Sequence, residues 1–570
     1  MNNKIFRIYI VICLQILISI VDVTFGYTKK SPTVFVAILV RNKGHALPYF
    51  LTLLTQISYP KNRISIWIRS DHNEDNSADI LKKWTNVYHK HYHLLDIEID
   101  NSSKRFDNEI EISIWSQSRY KLLIKLREEA LQSARRVWAD YIWFLDCDSF
   151  ITNPATLSNL IKTEKLIVAP MLMSDTMYSN FWCGMTSSYY YIRTDEYPEL
   201  LNRKKIGCFA VPMVHSATLI DLRAEISDLL TFDPENIKNY TGPIDDIIAF
   251  AIGANKSGIQ LYICNDMMYG YTMVPLDENE DISDDKNHLM NLKMYVTVDE
   301  PQFPVNELFS EFLQYPSKSK FGFDEIFIIN LKRRTERKIR MIYCLNELGI
   351  NATFFEAVDG MNLKDDQLNE MNVKLMIDYE DPYHKRPMKK GEIGCFLSHY
   401  KIWQEIVKNN LKKVIVLEDD VRFEKFFIQK LKQMIIDLNN ISVQWDLVYL
   451  GRKIMQPKKE FFVENMEHLV YPSYCYWTIG YILTIEGARK LIDAMPLQNL
   501  IPVDEFLPIM FDKHPRDDWK KYFPIRNLKA LSVNPLIITP MKYTHELGYV
   551  SDTEDSNTVI TINKNKKDEL

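Results

Sequence analysis

Two apolar runs of this 570-residue sequence end in clusters of acidic residues. Asp146 and Asp148 follow the apolar run 143–145, and a second cluster at 418–420 follows the run 416–417. Each run is typical of a buried strand that delivers carboxylates to its carboxyl end. Like charges gathered there repel one another unless a cation or a set of hydrogen-bond donors offsets them. A divalent metal ion is the simplest explanation, and at the strand ends of an open α/β sheet it would accompany a phosphate-bearing ligand.

The spacing within each cluster indicates the ligands. Asp146 and Asp148 are two residues apart, as are Glu418 and Asp420, so each pair shares one face if its strand continues. Two such carboxylates can hold Mn²⁺ or Mg²⁺ and leave coordination positions open for a pyrophosphate. This is the logic of the Asp-x-Asp motif in GT-A nucleotide-sugar glycosyltransferases, in which the metal ion stabilises the departing nucleoside diphosphate. The alternative is that these acids cap helices or lie in solvated turns.

A second set of acids supplies candidates for a general base. Asp504 and Glu505 open an apolar helix after Pro502, and Asp245 and Asp246 do the same earlier in the chain. A displacement that inverts the sugar anomer needs a carboxylate to take the proton from the acceptor hydroxyl. We therefore predict Asp504 and Glu505 as catalytic residues. The alternative for each acid is a helix N-cap that complements the helix dipole.

The elements that must position these acids form two similar sets. β-rich runs alternate with amphipathic stretches over 33–275, which favours βαβ units around a mostly parallel sheet. An acidic, proline-punctuated stretch follows, and the pattern restarts with the apolar run 325–331. We predict an α/β protein with two tandem GT-A-like (Rossmann-like) domains at 31–276 and 323–550, joined by a linker at 277–322. Together the two domains form a weak internal repeat.

Both ends of the sequence carry targeting signals. Lys4 and Arg7 precede an apolar stretch, and the pattern predicts a secretory signal peptide at 1–26, with an uncleaved signal anchor as the alternative. The polar residues 551–570 predict a flexible tail, which ends in the KDEL address read by the retrieval receptor of the endoplasmic reticulum. We therefore expect a protein of the endoplasmic reticulum lumen that has this receptor as a partner and no membrane insertion of the mature chain.

Composition agrees with the secretory compartment and excludes several classes of function. Five sequons predict N-glycosylation, at Asn101, Asn239, Asn255, Asn351 and Asn440. Of the eight cysteines, seven follow the signal peptide without any Cys-x-x-Cys pair, so at least one stays unpaired and a zinc ribbon is excluded. The net charge of −6 without a basic stripe argues against nucleic acid as a partner. No Walker loop, dinucleotide-binding fingerprint or His-Glu-x-x-His motif occurs.

The second half of the sequence resembles the family 25 glycosyltransferases, which include bacterial lipooligosaccharide galactosyltransferases and animal collagen galactosyltransferases. The order of the two domains, the signal peptide and the retrieval sequence extend the resemblance over nearly the whole chain, and the first half looks like a more distant GT-A domain. Five segments carry the resemblance: Ile328-Ile329-Asn330-Leu331-Lys332-Arg333-Arg334-Thr335-Glu336-Arg337, Glu356-Ala357-Val358-Asp359-Gly360, Gly391-Glu392-Ile393-Gly394-Cys395-Phe396-Leu397-Ser398-His399, Leu417-Glu418-Asp419-Asp420 and Asp446-Leu447-Val448-Tyr449-Leu450-Gly451.

The resemblance implies transfer of galactose from UDP-galactose to 5-hydroxylysine of collagen chains, with β linkage and Mn²⁺ dependence. Carried over to this sequence, it places six residues near the nucleotide and donor: Asn330, Arg333, Arg337, Asp359, Ser398 and His399. It places the metal ion on Glu418 and Asp420, and we expect Asp146 and Asp148 to form a second metal-binding pair. Arg333 and Arg337 could instead be salt-bridged surface residues of a first helix.

Two other functions stay open at this point. One is a catalytically silent lumenal binding or adhesion protein, and the other is a transferase for another sugar or acceptor. Intact acids in both clusters favour an enzyme over the silent relative. The duty of the first domain is open as well, between a second transferase, an acceptor-binding platform and a structural partner.

Overall fold

The computed structural model describes residues 30–100, 105–106, 108–377, 379–544, 546–553 and 555–556. The predicted signal peptide, the sequon at Asn101 and the KDEL sequence lie outside these residues. The other four sequon asparagines are exposed. Among the described residues, no helix has both the length and the apolar character needed to cross a bilayer.

The chain divides into two compact units. The first contains Met1–Asp285 and Pro304–Phe312, and the second contains Lys286–Phe303 and Leu313–Leu570. The segment 277–322, predicted as a linker, thus contributes residues to both units. The predicted α/β fold with two tandem domains is confirmed.

The first unit is built on an eight-stranded sheet in the order β3-β2-β1-β4-β10-β6-β11-β8. Two short two-stranded sheets, β12-β5 and β7-β9, accompany it. The strands are β1 Val34–Val40, β2 Ile64–Ser70, β3 Leu94–Ile99, β4 Tyr141–Leu145, β5 Ser149–Phe150, β6 Ile167–Pro170, β7 Phe181–Trp182, β8 Cys208–Val211, β9 Met213–Val214, β10 Ala217–Asp221, β11 Leu261–Cys264 and β12 Tyr271–Thr272. The helices are α1 Leu47–Gln56, α2 Ser77–Tyr88, α3 Gln117–Arg136, α4 Thr156–Lys162, α5 Glu196–Leu201, α6 Asp246–Lys256 and α7 Ile282–Val296.

The second unit has an eight-stranded sheet in the order β14-β13-β15-β20-β17-β21-β19-β18 and a two-stranded sheet β16-β22. Its strands are β13 Glu325–Asn330, β14 Thr353–Glu356, β15 Lys413–Glu418, β16 Val421–Phe423, β17 Leu447–Ile454, β18 Phe461–Phe462, β19 Leu469–Tyr471, β20 Cys475–Thr484, β21 Ala530–Val533 and β22 Ile538–Pro540. Its helices are α8 Thr335–Glu347, α9 Asp365–Glu370, α10 Lys390–Lys408, α11 Phe427–Asn440, α12 Ile485–Asp493, α13 Val503–Met510 and α14 Asp517–Lys520, and the second part of α7 belongs to this unit.

Both large sheets are mixed, and the first is mostly parallel as predicted, since six of its eight strands run in one direction and β10 and β8 run against them. Strand β4 pairs in parallel with β1 and antiparallel with β10, and β15 pairs in the same way with β13 and β20. The reversed strands β10 and β20 add a second pair of like-oriented strands beyond them. The same sequence of pairings in both sheets gives the weak internal repeat a structural basis.

The two acid-tipped strands are central in their sheets. All five residues of β4 are buried, as are Val414 to Leu417 of β15. Such continuous apolar runs are typical of strands covered on both faces. In the first unit a disulfide joins Cys208 to Cys264, which lie opposite each other on β8 and β11. The other described cysteines are free.

Candidate functional site

The second acid cluster forms a turn between two strands. Strand β15 ends at Glu418, and the backbone turns at Asp419 and Asp420 before β16 begins at Val421. The Met541 backbone NH donates to the Asp420 carbonyl oxygen over 2.7 Å and holds the turn against the end of β22. We call residues 418–420 the second acid turn. The condition for Glu418 and Asp420 to share one strand face, that the strand continues, is not met, because the strand ends at Glu418.

Two donors from the beginning of the unit hold the outer carboxylates of this turn. The Asn330 side-chain amide, at the end of β13, donates to Asp419 Oδ2 over 2.6 Å. Arg337 Nη1, on α8, lies 3.1 Å from Asp419 Oδ1 and 3.2 Å from Asp420 Oδ2. The predicted nucleotide residues Asn330 and Arg337 therefore position the acids of the turn. Asp419, which the sequence analysis left without a role, is the acid that they hold most closely.

Glu418 contacts neutral groups in the interior. Trp403 Nε1 donates to the Tyr481 hydroxyl over 3.0 Å, and this hydroxyl lies 2.9 Å from His399 Nδ1. His399 Nε2 lies 3.2 Å from Glu418 Oε1. An indole nitrogen can only donate, so the buried Tyr481 hydroxyl satisfies its own hydrogen by donating to Nδ1. The hydrogen of the ring then sits on Nε2 and is donated to Glu418.

This tautomer indicates whether His399 is a metal ligand or a hydrogen-bond donor. The ligand atoms of Cys395, His399 and Glu418 lie within 4.8 Å of one another, a grouping that could hold a soft metal ion. A metal ion would need the Nε2 lone pair, whereas the hydrogen-bond chain places a hydrogen there. Burial also lowers the pKa of His399 to about 3, so the ring is neutral near neutral pH. His399 is thus a positioning donor to Glu418.

The second acid turn carries more negative charge than its neighbours offset. Burial raises the pKa of Glu418 well above its usual range, and the charges of Asp420 and Asp504 raise it further. Burial, with the charge of Asp420, raises the pKa of Asp419 to about 6. Asp420 Oδ1 is buried and has no hydrogen-bond partner among the described residues. An unpartnered carboxylate oxygen beside a second buried carboxylate fits a divalent cation, since oxygen donors of this type suit Mn²⁺ and Mg²⁺.

A pocket opens beside this turn. Glu418, Asp419 and Asp420 form part of its wall, and so do four of the six predicted donor residues: Arg333, Arg337, Asp359 and Ser398. Asn330 and His399 do not line the pocket. They contact it indirectly, through their hydrogen bonds to Asp419 and Glu418. Arg333 Nε lies 3.0 Å from Asp359 Oδ2, and both side chains are partly exposed to the pocket. Cations on one side and carboxylates on the other suit a ligand that brings phosphate and metal together.

Helix α10 and the loop 357–360 form the far wall of the pocket. Ser398 Oγ accepts from the Val358 backbone NH over 2.8 Å and donates to the Gly394 carbonyl oxygen over 2.7 Å. The helix and the loop approach so closely that a Cβ atom at Gly394 would lie 2.5 Å from the Val358 carbonyl oxygen. Ser398 therefore fixes the loop, while glycine at 394 permits the contact.

The two predicted catalytic acids have different environments. Glu505 is 1% exposed, and its carboxylate accepts from the hydroxyls of Tyr474 and Tyr476 and lies 2.8 Å from His514 Nε2. Such a carboxylate is committed to an internal network. Asp504 accepts from the Trp477 backbone NH at 3.2 Å and the Thr478 hydroxyl at 3.3 Å.

Asp504 is the better placed candidate for a base. Burial, with the charge of Glu505, raises the pKa of Asp504 to about 6. Its side chain is only partly covered, and its charge acts on Glu418. A carboxylate with a raised pKa near an acid turn has the properties of a general base. Neither Asp504 nor Glu505 lines the pocket that holds the arginines, among the described residues.

The first acid cluster forms an equivalent turn with different electrostatics. Strand β4 ends at Leu145, so Asp146 and Asp148 also lie in a turn rather than on one face of a strand. The Met273 backbone NH donates to the Asp148 carbonyl oxygen over 3.1 Å, as Met541 does in the second unit. We call residues 146–148 the first acid turn.

Each carboxylate of the first acid turn has a cation of its own. Arg127 Nη2 lies 3.3 Å from Asp146 Oδ1, and Arg127 also pairs with the buried Asp246. Lys43 Nζ lies 3.2 Å from Asp148 Oδ2 and 2.7 Å from Asp285 Oδ2.

These cations change the fit to a metal ion. Burial alone would lower the pKa of Lys43, but Asp285 and Asp148 together raise it above its ordinary value. Lys43 and Arg127 therefore offset the charge of the two carboxylates, which weakens their attraction for a metal ion. The first acid turn fits a divalent ion less well than the second, and metal binding by Asp146 and Asp148 stays a prediction. The acids at the start of α6 have different partners. Asp245 caps the helix by accepting from the Ile248 backbone NH over 2.8 Å, whereas Asp246 pairs with Arg127.

Two groups of residues near the acid turns were missed from the sequence. Lys43 and Arg127 carry no motif, and only the fold brings them to the first acid turn. The segment Tyr549 to Thr553 lines the arginine pocket of the second unit. Asp552 and Ser556, which lie in the predicted flexible tail from residue 551, contact the second unit, and the flexibility of the tail stays a prediction. Its composition is polar, and no sequence signal marked it.

Two family models match the chain. The model described as "Glycosyltransferase family 25, N-terminal domain" matches residues 31–293. The model described as "Glycosyltransferase family 25 (LPS biosynthesis protein)" matches residues 323–507. Together they match most of the first unit, the part of the second unit up to residue 507, and both acid turns.

Curated relatives match over almost the whole length. A "Glycosyltransferase 25 family member" of Anopheles gambiae is 46% identical over 546 residues, which are 95% of this chain and 92% of that protein. "Procollagen galactosyltransferase 2" of Homo sapiens is 46% identical over 538 residues, which are 93% of this chain and 86% of that protein.

Among solved structures, a mannosyltransferase, PcManGT from Pyrobaculum calidifontis, matches with a TM-score of 0.27 and 13% identity, over 50% of this chain and 70% of that chain. A similarity of this size is too low to assign a ligand.

Proposed function

The chain belongs to glycosyltransferase family 25, and on that premise we propose that it transfers galactose from UDP-galactose to 5-hydroxylysine of collagen chains, with inversion at the sugar carbon to give a β linkage. That it is a glycosyltransferase follows from its family. The galactose donor and the collagen acceptor are our proposal, supported by relatives at 46% identity that bear the name procollagen galactosyltransferase.

The observation that carries this proposal is the second acid turn beside an arginine-lined pocket. Arg333 and Arg337 present cations to a phosphate-bearing ligand, and guanidinium groups bind phosphate in a fixed fork geometry. Glu418 and Asp420 would hold Mn²⁺, which would stabilise charge on the leaving diphosphate when bound. His399 and Asn330 orient the acids of the turn from inside.

The acceptor side of the reaction needs a base. We propose that Asp504 takes the proton from the acceptor hydroxyl as the hydroxyl oxygen attacks the sugar carbon and the bond to the diphosphate breaks. Its pKa of about 6 leaves it mostly ionised at neutral pH and still basic enough to accept a proton. Glu505 keeps Tyr474, Tyr476 and His514 in place behind it.

We also propose that the enzyme works in the lumen of the endoplasmic reticulum. The signal-peptide pattern, the sequons and the last four residues support this location. Its partners would be unfolded collagen or collagen-like chains and the retrieval receptor.

A transfer assay tests the proposal. Purified protein is incubated with UDP-galactose or UDP-glucose and a hydroxylysine-containing collagen peptide, with Mn²⁺ or with a chelator. We expect galactose transfer with Mn²⁺ only, and none to the matched peptide that has lysine in place of hydroxylysine. Asp420→Asn should abolish transfer and leave the thermal transition nearly unchanged.

Different failures of this assay point to different errors. Transfer from UDP-glucose alone would contradict the galactose assignment. Full activity of Asp420→Asn would contradict the metal assignment. No transfer in any combination would favour a lumenal binding protein.

A further inference from the structure

The described residues 549–553 and 555–556 form a carboxyl-terminal segment, here called segment 549–556, and residues 549–553 lie on the pocket to which we assign the sugar donor. Tyr549, Val550, Ser551, Asp552 and Thr553 all line this pocket. The family model of the second unit ends at residue 507, so the match assigns nothing to this segment. A polar segment that lies on a donor pocket affects donor binding whenever it stays in place.

The carboxylate of Asp552 is the centre of the contact. It lies 2.7 Å from Arg333 Nη1, 2.7 Å from Arg334 Nη2 and 3.6 Å from Arg337 Nη1. Burial alone would raise the pKa of Asp552, but hydrogen bonds from Arg334 and Arg333 outweigh it and lower the pKa. The aspartate is therefore an anion held by three guanidinium groups.

Two of these arginines also face the groups that a donor would use. Arg337 contacts Asp419 and Asp420 of the second acid turn, and Arg333 contacts Asp359 on the pocket wall. An anion bound between these arginines and the acid turn occupies the place suited to a diphosphate. A carboxylate and a diphosphate cannot share these cations, because like charges a few ångströms apart repel strongly in a partly buried site.

The segment is docked by specific contacts on both sides of Asp552. Arg337 Nη2 donates to the Val550 carbonyl oxygen over 3.0 Å, and the Gly391 backbone NH donates to Ser556 Oγ over 2.8 Å. A Cβ atom at Gly391 would lie 2.6 Å from the Asp552 carbonyl oxygen, so only glycine admits the segment at this distance. Most of the segment is nevertheless exposed or partly exposed, and it buries little apolar surface. Polar contacts hold it in place, and an anionic ligand can replace them.

We propose that segment 549–556 is an intramolecular strap whose Asp552 carboxylate occupies the anion subsite of the donor pocket and leaves when a nucleoside diphosphate binds. This inference rests on the proposed function, since that function assigns the pocket to a nucleotide sugar. The strap offsets the positive charge of the arginines and covers part of the free pocket, and the donor opens it by binding these arginines in place of Asp552.

Asp552→Asn tests the strap in the full chain. The amide keeps the shape of the side chain and removes the charge that the arginines hold. We expect UDP to bind this variant about tenfold more tightly than the parent chain, measured by titration calorimetry with Mn²⁺ present. Asp555→Asn is the matched control. This substitution removes one negative charge from the same segment, as Asp552→Asn does, but Asp555 is exposed. Its UDP affinity should stay within twofold of the parent value.

Hydrogen exchange of the amides in 549–556 provides a second readout. Adding UDP to the parent chain should speed exchange in this segment, and Asp552→Asn should speed it without UDP. Equal UDP affinity in all three proteins, or weaker binding by Asp552→Asn, would overturn the strap and leave the donor assignment standing. Absence of UDP binding in every protein, with the segment still released in Asp552→Asn, would overturn the donor assignment itself.

Discussion

At the scale of single residues, hydrogen-bond and ion-pair partners determine which carboxylates are available to bind a ligand or accept a proton. Glu505 and Asp504 are neighbours in sequence, yet Glu505 is buried and contacts three internal groups, whereas Asp504 is half-buried and has a raised pKa. The acid turns show the same contrast, since Asp146 and Asp148 each have a cation and Glu418 has a neutral histidine. Charge left unbalanced is the mark of a site prepared for a ligand.

Asp504→Asn should separate catalysis from stability. The amide cannot take the acceptor proton, so we expect kcat to fall at least a hundredfold while UDP still binds. In the parent enzyme, activity should fall as the pH drops through about 6, because Asp504 is then protonated. Measurement of kcat against pH, with UDP titration of the variant, checks both statements.

The same variant has a predicted effect on stability with a defined sign. The pKa of Asp504 is higher in the folded chain than its ordinary value of 3.8, so its charge opposes folding above about pH 6. Asp504→Asn should therefore be more stable at pH 7.5, by at most about 3 kcal/mol and by less because the side chain is partly exposed. The gain should vanish near pH 4. Glu505→Gln is the control and should lose stability, and a variant of Asp504 that keeps its activity would refute its role as base.

At the scale of elements, close packing of helix α10 against the loop 357–360 shapes the donor pocket. The loop carries Asp359, and the helix carries Cys395 and Ser398, which line the same cavity. The Gly394 position has no room for a side chain, since Val358 O and Gly360 N lie 2.5 Å and 2.7 Å from the place of a Cβ atom. Both neighbours are backbone atoms, which cannot move without shifting the loop.

Gly394→Ala should therefore displace the loop. We expect a loss of about 1–3 kcal/mol in the free energy of unfolding, typical of overpacking, together with a raised KM for UDP-galactose. Thermal unfolding and steady-state kinetics measure the two effects. Gly253→Ala in α6 is the control, because its nearest neighbour is the flexible end of Ile237 at 3.2 Å. Unchanged stability and KM in Gly394→Ala would show that the loop adapts freely.

At the scale of the whole molecule, the chain passes between its two units more than once. Residues 286–303 belong to the second unit, and residues 304–312 return to the first. Met294 is 5% exposed in the core of the second unit, and Lys293 pairs with Glu347 over 2.5 Å. Asn291 Oδ1 also accepts from the Phe426 backbone NH over 3.2 Å. Residues 291–294 of the segment predicted as a linker thus pack against the second unit.

The stability of two fragments with different starting residues should show whether the second unit depends on residues 286–303. We expect a fragment that begins at residue 286 to unfold cooperatively, and one that begins at residue 323 to be less stable by several kcal/mol, because it exposes the contacts of Met294 and leaves Glu347 buried without its cation. Denaturant titration of both fragments measures the difference. Equal midpoints would show that helix α7 adds nothing to the second unit.

Much of the fold could be predicted because apolar periodicity is local. The predicted apolar runs at 143–145 and 416–417 lie within β4 and β15, the run at 325–331 contains β13, and the predicted acid-headed helices occur as α6 and α13. The reversed strands β10 and β20 could not be predicted, because strand direction depends on where a connection returns to the sheet. The residues at which the strands end, Leu145 in β4 and Glu418 in β15, were likewise not predicted, because a short turn does not alter the apolar pattern.

The sequence by itself determined which carboxylates gather at strand ends and that the arrangement occurs twice, because these depend on the order of residues within short segments. Only the tertiary structure decided which carboxylates are balanced by cations. Arg127, Lys43 and Arg337 reach the acid turns from other helices and loops, and Asp552 reaches Arg334 across 218 residues of sequence. Charge balance acts through space over a few ångströms, and no local pattern records it.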